Sequence, residues 1–185
     1  MGSFNENTRV QVPAALHLCK LGYKYIDKID VLDTQTNILV DVFMESVKRL
    51  NPSISGTEVS LLFSKIVSIA NNDDLGREFY QLLSANSGIK LIDFDSLDNP
   101  DKPDKNVWHV TTELPCENKD TDDNFRPDIT CFVNGLPLAF IEVKKPNNHE
   151  GILAERERIN KRMSKSCFRR FFNLTQLMIF SNNQE

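Results

Sequence analysis

Hydrophobic and polar positions along this chain change their period near its midpoint. Up to about residue 88, apolar residues recur every three or four positions, the spacing of amphipathic helices; beyond it they gather in short runs that read as strands. Helices are expected over 8–21, 35–49, 56–70 and from 73 or 74 to 84. Gly22 stops the first, and Pro13 fits within its first turn. Ile38, Val42, Phe43 and Val47 form the apolar stripe of the second, which Asn51-Pro52 ends. Thr57 is a candidate cap for the third, and acids lead the fourth, as suits a helix N-terminus. Strands are expected over 89–94, 107–114, 129–133, 138–143 and 174–181, with one helix over 149–165. Segments 98–105 and 117–124 read as loops, the second strongly acidic. The pattern describes an α/β chain: a mainly helical part, 1–88, and a sheet-bearing part, 89–185, in a single domain.

The runs 129–133 and 138–143 flank Asn134-Gly135, a hairpin signal. Asp128 stands at the start of the first run, Glu142 and Lys144 at the end of the second. Residues two apart on a strand share a face, so Glu142 and Lys144 point the same way. If Asp128 joins them, two carboxylates and an ammonium converge, equipment to hold a divalent metal and orient an attacking water. A plain two-residue Asn134-Gly135 turn pairs Val133 with Leu136 and, carried down the strands, Asp128 with Ile141. That leaves Glu142 on the opposite face. A shared face therefore requires a three-residue loop, Asn134-Gly135-Leu136, or a bulge. The same residues also suit a solvated strand edge followed by Lys145-Pro146, and spacing alone leaves both readings open.

Composition narrows the classes. The chain has 185 residues, 40% hydrophobic and 26% charged, the balance of an ordinary globular domain. No apolar run approaches a membrane span, and the N-terminus carries neither a secretory signal nor a myristoylation motif, so a cytoplasmic location is expected. Cys19, Cys116, Cys131 and Cys167 lie far apart, without C-x-x-C, which favours reduced thiols over disulfides or zinc. His17, His109 and His149 are equally scattered. No phosphate-binding G-x-x-x-x-G-K-[ST] loop occurs, so this stretch has no P-loop for ATP. Net charge is −4, yet nine Lys or Arg stand against three acids between Lys144 and Arg170. Lys145, Lys161, Arg162 and Lys165 are the candidates for contacting DNA phosphates. Arg169 and Arg170, set among Phe168, Phe171 and Phe172, read as a packing surface, and a compensating Glu155–Arg158 pair fits an ordinary solvated helix.

Several segments are similar to one known family. They are Leu91-Ile-Asp-Phe-Asp95, the run from Arg126-Pro-Asp128 through Phe132-Val-Asn-Gly-Leu-Pro-Leu138, Phe140-Ile-Glu-Val-Lys-Lys-Pro146, and the stretch Phe172 to Asn182. Val12-Pro-Ala-Ala-Leu16 and Leu21-Gly-Tyr23 add to them. The chain resembles the N-terminal nuclease domain of the R (restriction) subunit of type I restriction enzymes over nearly its whole length. The resemblance implies a restriction-endonuclease-like, PD-(D/E)xK core with a mixed central sheet flanked by helices. It also implies Mg²⁺-dependent cleavage of double-stranded DNA, with Mn²⁺ as a substitute. Asp128 and Glu142 would be metal carboxylates, Lys144 the residue that orients the water, and the backbone carbonyl of Ile141 or Val143 a further ligand. Gln11 stands where many relatives carry a glutamate, and would reach the metal through a water. Arg156, Arg158 and Arg162 occupy the helix where relatives often show a Gln-x-x-x-Tyr pair. The implied partners are the methylation (M) and specificity (S) subunits and ATP-driven translocase domains of a longer chain, of which this would be one part. ATP would bind only in that full-length subunit. A non-catalytic DNA-binding or subunit-docking module of the same fold is the competing reading.

Overall fold

The computed structural model describes residues 10–27, 32–33, 36–85, 88–99, 101–116, 124–144 and 149–181. In chain order the elements are α1 (Val12–Lys20), β1 (Lys24–Tyr25), β2 (Leu32–Asp33), β3 (Ile38–Leu39), α2 (Val40–Leu50), α3 (Gly56–Ile69), α4 (Arg77–Leu83) and α5 (Phe94–Leu97). Then follow β4 (Trp108–Thr112), β5 (Ile129–Val133), β6 (Leu136–Val143), α6 (His149–Met163), α7 (Arg169–Leu174) and β7 (Leu177–Ser181). Five strands form one mixed sheet in the order β1-β4-β5-β6-β7. The three central strands are antiparallel; β1 runs parallel to β4 and β7 parallel to β6. β2 and β3 pair separately as a short antiparallel ladder.

Alternation along the strands gives the sheet two apolar faces. On one, Val110, Ile129, Cys131 and Val143 pack with Val10 and with Ala14 and Leu18 of α1. On the other, Phe132 and Phe140 meet Ile159 of α6 and Phe168, Phe171 and Phe172. Phe125 sits at the centre of these aromatics, stacked on Phe172 at 5.6 Å and edge-on to three more rings. Helices α2 to α4 build a third core at the turn end of the β5–β6 hairpin, from Phe43, Val47, Leu62, Ile66 and Phe79 against Val133, Leu136 and Leu138. The helical part thus grips one end of the hairpin and leaves the other end, with Asp128 and Glu142, to α1 and α6. β7 is an edge strand: among the described residues only β6 pairs with it, and Leu177 and Ile179 on it are exposed.

Most expected elements are present with shifted limits. The second helix begins only at Val40, because Ile38 and Leu39 form β3. The third is capped by Ser55 rather than Thr57: the Ser55 hydroxyl accepts from the Glu58 amide and Glu58 reaches back to the Ser55 amide. The fourth begins at Arg77, with the Asp74 carboxylate accepting from the Gly76 and Glu78 amides. Residues 174–181 divide between the end of α7 and β7.

The expected strand over 89–94 is absent. Its backbone finds side-chain partners instead of a neighbouring strand. Asn51 bonds both the amide and the carbonyl of Lys90, Asn134 donates to the Leu91 carbonyl, and Asn106 bonds both groups of Asp93. Leu91 and Ile92 are buried, which is what the apolar run signalled, but in an irregular segment.

Candidate active site

The hairpin combines a tight turn with a bulge. Asn134 (φ 52°) and Gly135 (φ 82°) form a two-residue turn closed by the Val133–Leu136 pair, so the three-residue loop is corrected. The next pair is Phe132 with Pro137; the one after is Cys131 with Ala139, which leaves Leu138 as an extra residue on β6. From there Thr130 pairs with Phe140 and Ile129 with Ile141, and one further step sets Asp128 opposite Glu142. The bulge alternative thus holds. It shifts the register by one residue and puts both acids on the face covered by α6 and α7.

The two carboxyls form one unit there. Glu142 is 4% exposed, and Asp128 is half-buried. Asp128 Oδ2 accepts the Val143 backbone N–H at 2.8 Å, which fixes the carboxylate against β6. Burial, and then the neighbouring Asp128 and Glu155 carboxyls, push Glu142 up to about 8, while Lys144 opposes the rise. Glu142 Oε1 is buried without a hydrogen-bond partner among the described residues. Gln11, 3% exposed at the start of the first helical turn, donates through Nε2 to the Asp128 backbone carbonyl at 2.7 Å. It therefore steadies the chain that carries Asp128.

Lys144 shares the Glu142 face and also binds α6. Its Nζ lies 3.1 Å from Glu155 Oε2. Glu155 is 3% exposed and also holds Arg158 at 3.0 Å and Arg162 at 4.0 Å. The Glu155–Arg158 pair was expected; the inward position of Glu155 was not. A signal for it existed, because Glu155 precedes the buried Ile159 by four residues and so stands on the core-facing stripe of its helix.

The other basic candidates separate. Lys161 and Lys165 are exposed on or just past α6. Arg162 turns inward, its guanidinium 4.7 Å from the centre of the Phe125 ring. Arg169 pairs with Asp73 at 3.5 Å and so ties α7 to the segment before α4. Lys145 lies outside the described residues.

Residues 3–185 match the family described as "Type I restriction enzyme R protein N terminus". The chain belongs to this family. Two relatives of this R-protein N-terminal domain come from Methanocaldococcus jannaschii. One, provisionally named type I restriction enzyme MjaIXP endonuclease subunit, is 27% identical over 170 residues, covering 79% of this chain and 16% of that protein. The other, provisionally named type I restriction enzyme MjaVIIIP endonuclease subunit, is 25% identical over 143 residues, covering 70% and 13%. The R-protein domain thus spans about a sixth or less of the length of these relatives. No helix among its described residues is long and apolar enough to cross a membrane.

Proposed function

We propose that this R-protein N-terminal domain is a Mg²⁺-dependent endonuclease module with a PD-(D/E)xK core, which hydrolyses phosphodiester bonds of double-stranded DNA. The observation that carries the reading is the bulge in β6, which brings Asp128 and Glu142 to one point on one face, with Lys144 beside them. The donor set suits a hard divalent cation. Mg²⁺ takes one or two carboxylates, which Asp128 and Glu142 together can supply, and keeps several waters. Glu142 Oε1, buried and without a partner, is the kind of oxygen such an ion satisfies. Bound there, the ion would lower the pKa of a coordinated water and offset charge on the phosphate.

The residues themselves supply position. Asp128 is held by the Val143 amide and, through its own carbonyl, by Gln11. The N–H and C=O of a strand residue point to the same edge, so the Val143 carbonyl is directed toward Asp128 and is the backbone ligand of choice. Lys144 orients the water and counters charge as oxygen attacks phosphorus and the bond to the leaving oxygen breaks. Lys161 and Lys165, and Lys145 beyond the described residues, would meet phosphates along the duplex. Base recognition would rest with a specificity subunit, modification with a methylation subunit, and ATP-driven motion with translocase domains elsewhere in the full-length protein.

Calorimetric titration of Mg²⁺, or Mn²⁺ as a substitute, into the wild type and Asp128→Ala tests the reading, together with cleavage by the assembled enzyme. Binding and cleavage that both vanish in the variant are expected. Wild-type protein that folds but binds no divalent ion would leave only the non-catalytic docking module.

A further inference from the structure

We infer that Glu155 is a positioning residue for the nuclease reaction: it fixes the Lys144 ammonium beside Glu142. The inference rests on the reading of Asp128, Glu142 and Lys144 as the nuclease centre, and it adds a third acid that acts through the lysine.

A lysine side chain is a point charge on a flexible four-carbon stem, so a strand position alone does not fix its ammonium. Something must select one arrangement. The Lys144 Nζ lies 3.1 Å from Glu155 Oε2, and the lysine side chain is only 19% exposed. An ammonium has three donors, of which this contact needs one.

Glu155 is itself held. An isolated carboxylate at 3% exposure is costly, but this one has cations on both oxygens: Lys144 and Arg158 at Oε2, Arg162 near Oε1. Arg162 in turn lies over the ring of Phe125, three residues before Asp128. The contacts run from Phe125 through Arg162 and Glu155 to Lys144, and the Glu142 carboxyl feels the charges of both Lys144 and Glu155. The chain of contacts joins α6 to the segment that leads into β5 and to the residue that follows β6. A helix merely packed on the sheet needs no buried carboxylate facing Lys144; Ile159 on the same stripe does that work.

The test uses the full-length subunit assembled into its restriction complex, and single-turnover cleavage of plasmid DNA. Glu155→Gln keeps the shape and removes the charge. Its cleavage rate at saturating DNA is expected to fall 10- to 100-fold, the scale of a mispositioned catalytic group. The DNA and Mg²⁺ concentrations giving half-maximal rate should stay within about two-fold. Competitive acetylation read by mass spectrometry should show the Lys144 amine reacting several-fold faster than in the wild type. A rate within two-fold of wild type would overturn the inference. So would a loss confined to the half-saturating concentrations, with Lys144 reactivity unchanged. If Glu155→Gln does not fold, Glu155→Asp, which keeps the charge on a shorter stem, is read by the same measurements and the same criteria. Failure of the nuclease reading looks different: the wild-type complex itself would cleave no better than Asp128→Ala, and the inference would fall with it.

Discussion

At the scale of single residues, Glu142 is the carboxyl moved furthest upward among the described residues. Its carboxyl is raised to about 8, chiefly by burial. A raised acid favours folding most while it is protonated in both states. That contribution is full below the unfolded value near 4.5 and is lost as pH rises through about 8. Metal-free protein should therefore lose stability between pH 5 and pH 8.5. Glu142→Gln should be more stable than wild type by about 1–3 kcal/mol at pH 8, with the gain fading toward pH 5. Urea unfolding at several pH values checks this. Mg²⁺ should reverse the order, because only wild type gains from the ion. Asp128→Ala and Lys144→Ala should both abolish cleavage; Asp128→Ala should leave the unfolding midpoint near wild type, whereas Lys144→Ala, which strips a cation from the buried Glu155, should lower it. Strand parity puts Glu142 and Lys144 on one face without knowledge of anything distant, whereas Asp128 joins them only through the bulge, which parity and the turn signal do not give. Glu155 was not legible in the sequence, because its role depends on which strand α6 covers.

At the scale of elements, the β5–β6 hairpin organises the site. Gly135 has φ +82°, and a Cβ there would lie 2.6 Å from the Leu39 carbonyl oxygen and 2.7 Å from the Phe43 amide nitrogen. Both are backbone atoms and cannot swing away. Gly135→Ala should cost roughly 2–4 kcal/mol by strain and overpacking together, measurable by denaturant unfolding. The acids lie at the far end of the hairpin, so the loss should appear as stability rather than as altered metal affinity. The hairpin could be read from Asn134-Gly135 and its flanking apolar runs. The bulge has one local signal, Pro137 beside Leu138, because a central strand tolerates proline chiefly at a bulge, but its expectation rests on the chemistry alone. The strand expected at 89–94 failed for a different reason: three asparagines from distant positions, Asn51, Asn106 and Asn134, satisfy that backbone, and local pattern carries no trace of them.

At the scale of the whole molecule, α2 to α4 and the candidate site occupy opposite ends of the β5–β6 hairpin, and Lys161 and Lys165 lie toward and just past the end of α6, where Met163 and Ser164 meet Asn72 and Asp73. Lys161 and Lys165 are exposed, whereas Arg162 is turned into the protein. Lys161→Ala with Lys165→Ala should weaken binding to all DNA sequences alike. It should also flatten the slope of log affinity against log salt by about one unit per lost contact. An unchanged slope would exclude these lysines from the DNA surface. Arg162→Ala should instead lower stability, by about 1–3 kcal/mol, because it strips a cation from the buried Glu155 and a partner from the Phe125 ring.

The edge position of β7 bears on how the chain behaves in solution. One side of the strand is bonded to β6; on the other, no described strand takes up its amides and carbonyls. Leu177 at 55% and Ile179 at 36% exposure add an apolar strip along it. An open edge with such side chains is a template for adding a foreign strand. The chain should therefore be prone to concentration-dependent aggregation, and light scattering should show Leu177→Lys delaying its onset. Aggregates seen in a preparation of these 185 residues would then report the open margin of the sheet rather than a failure to fold.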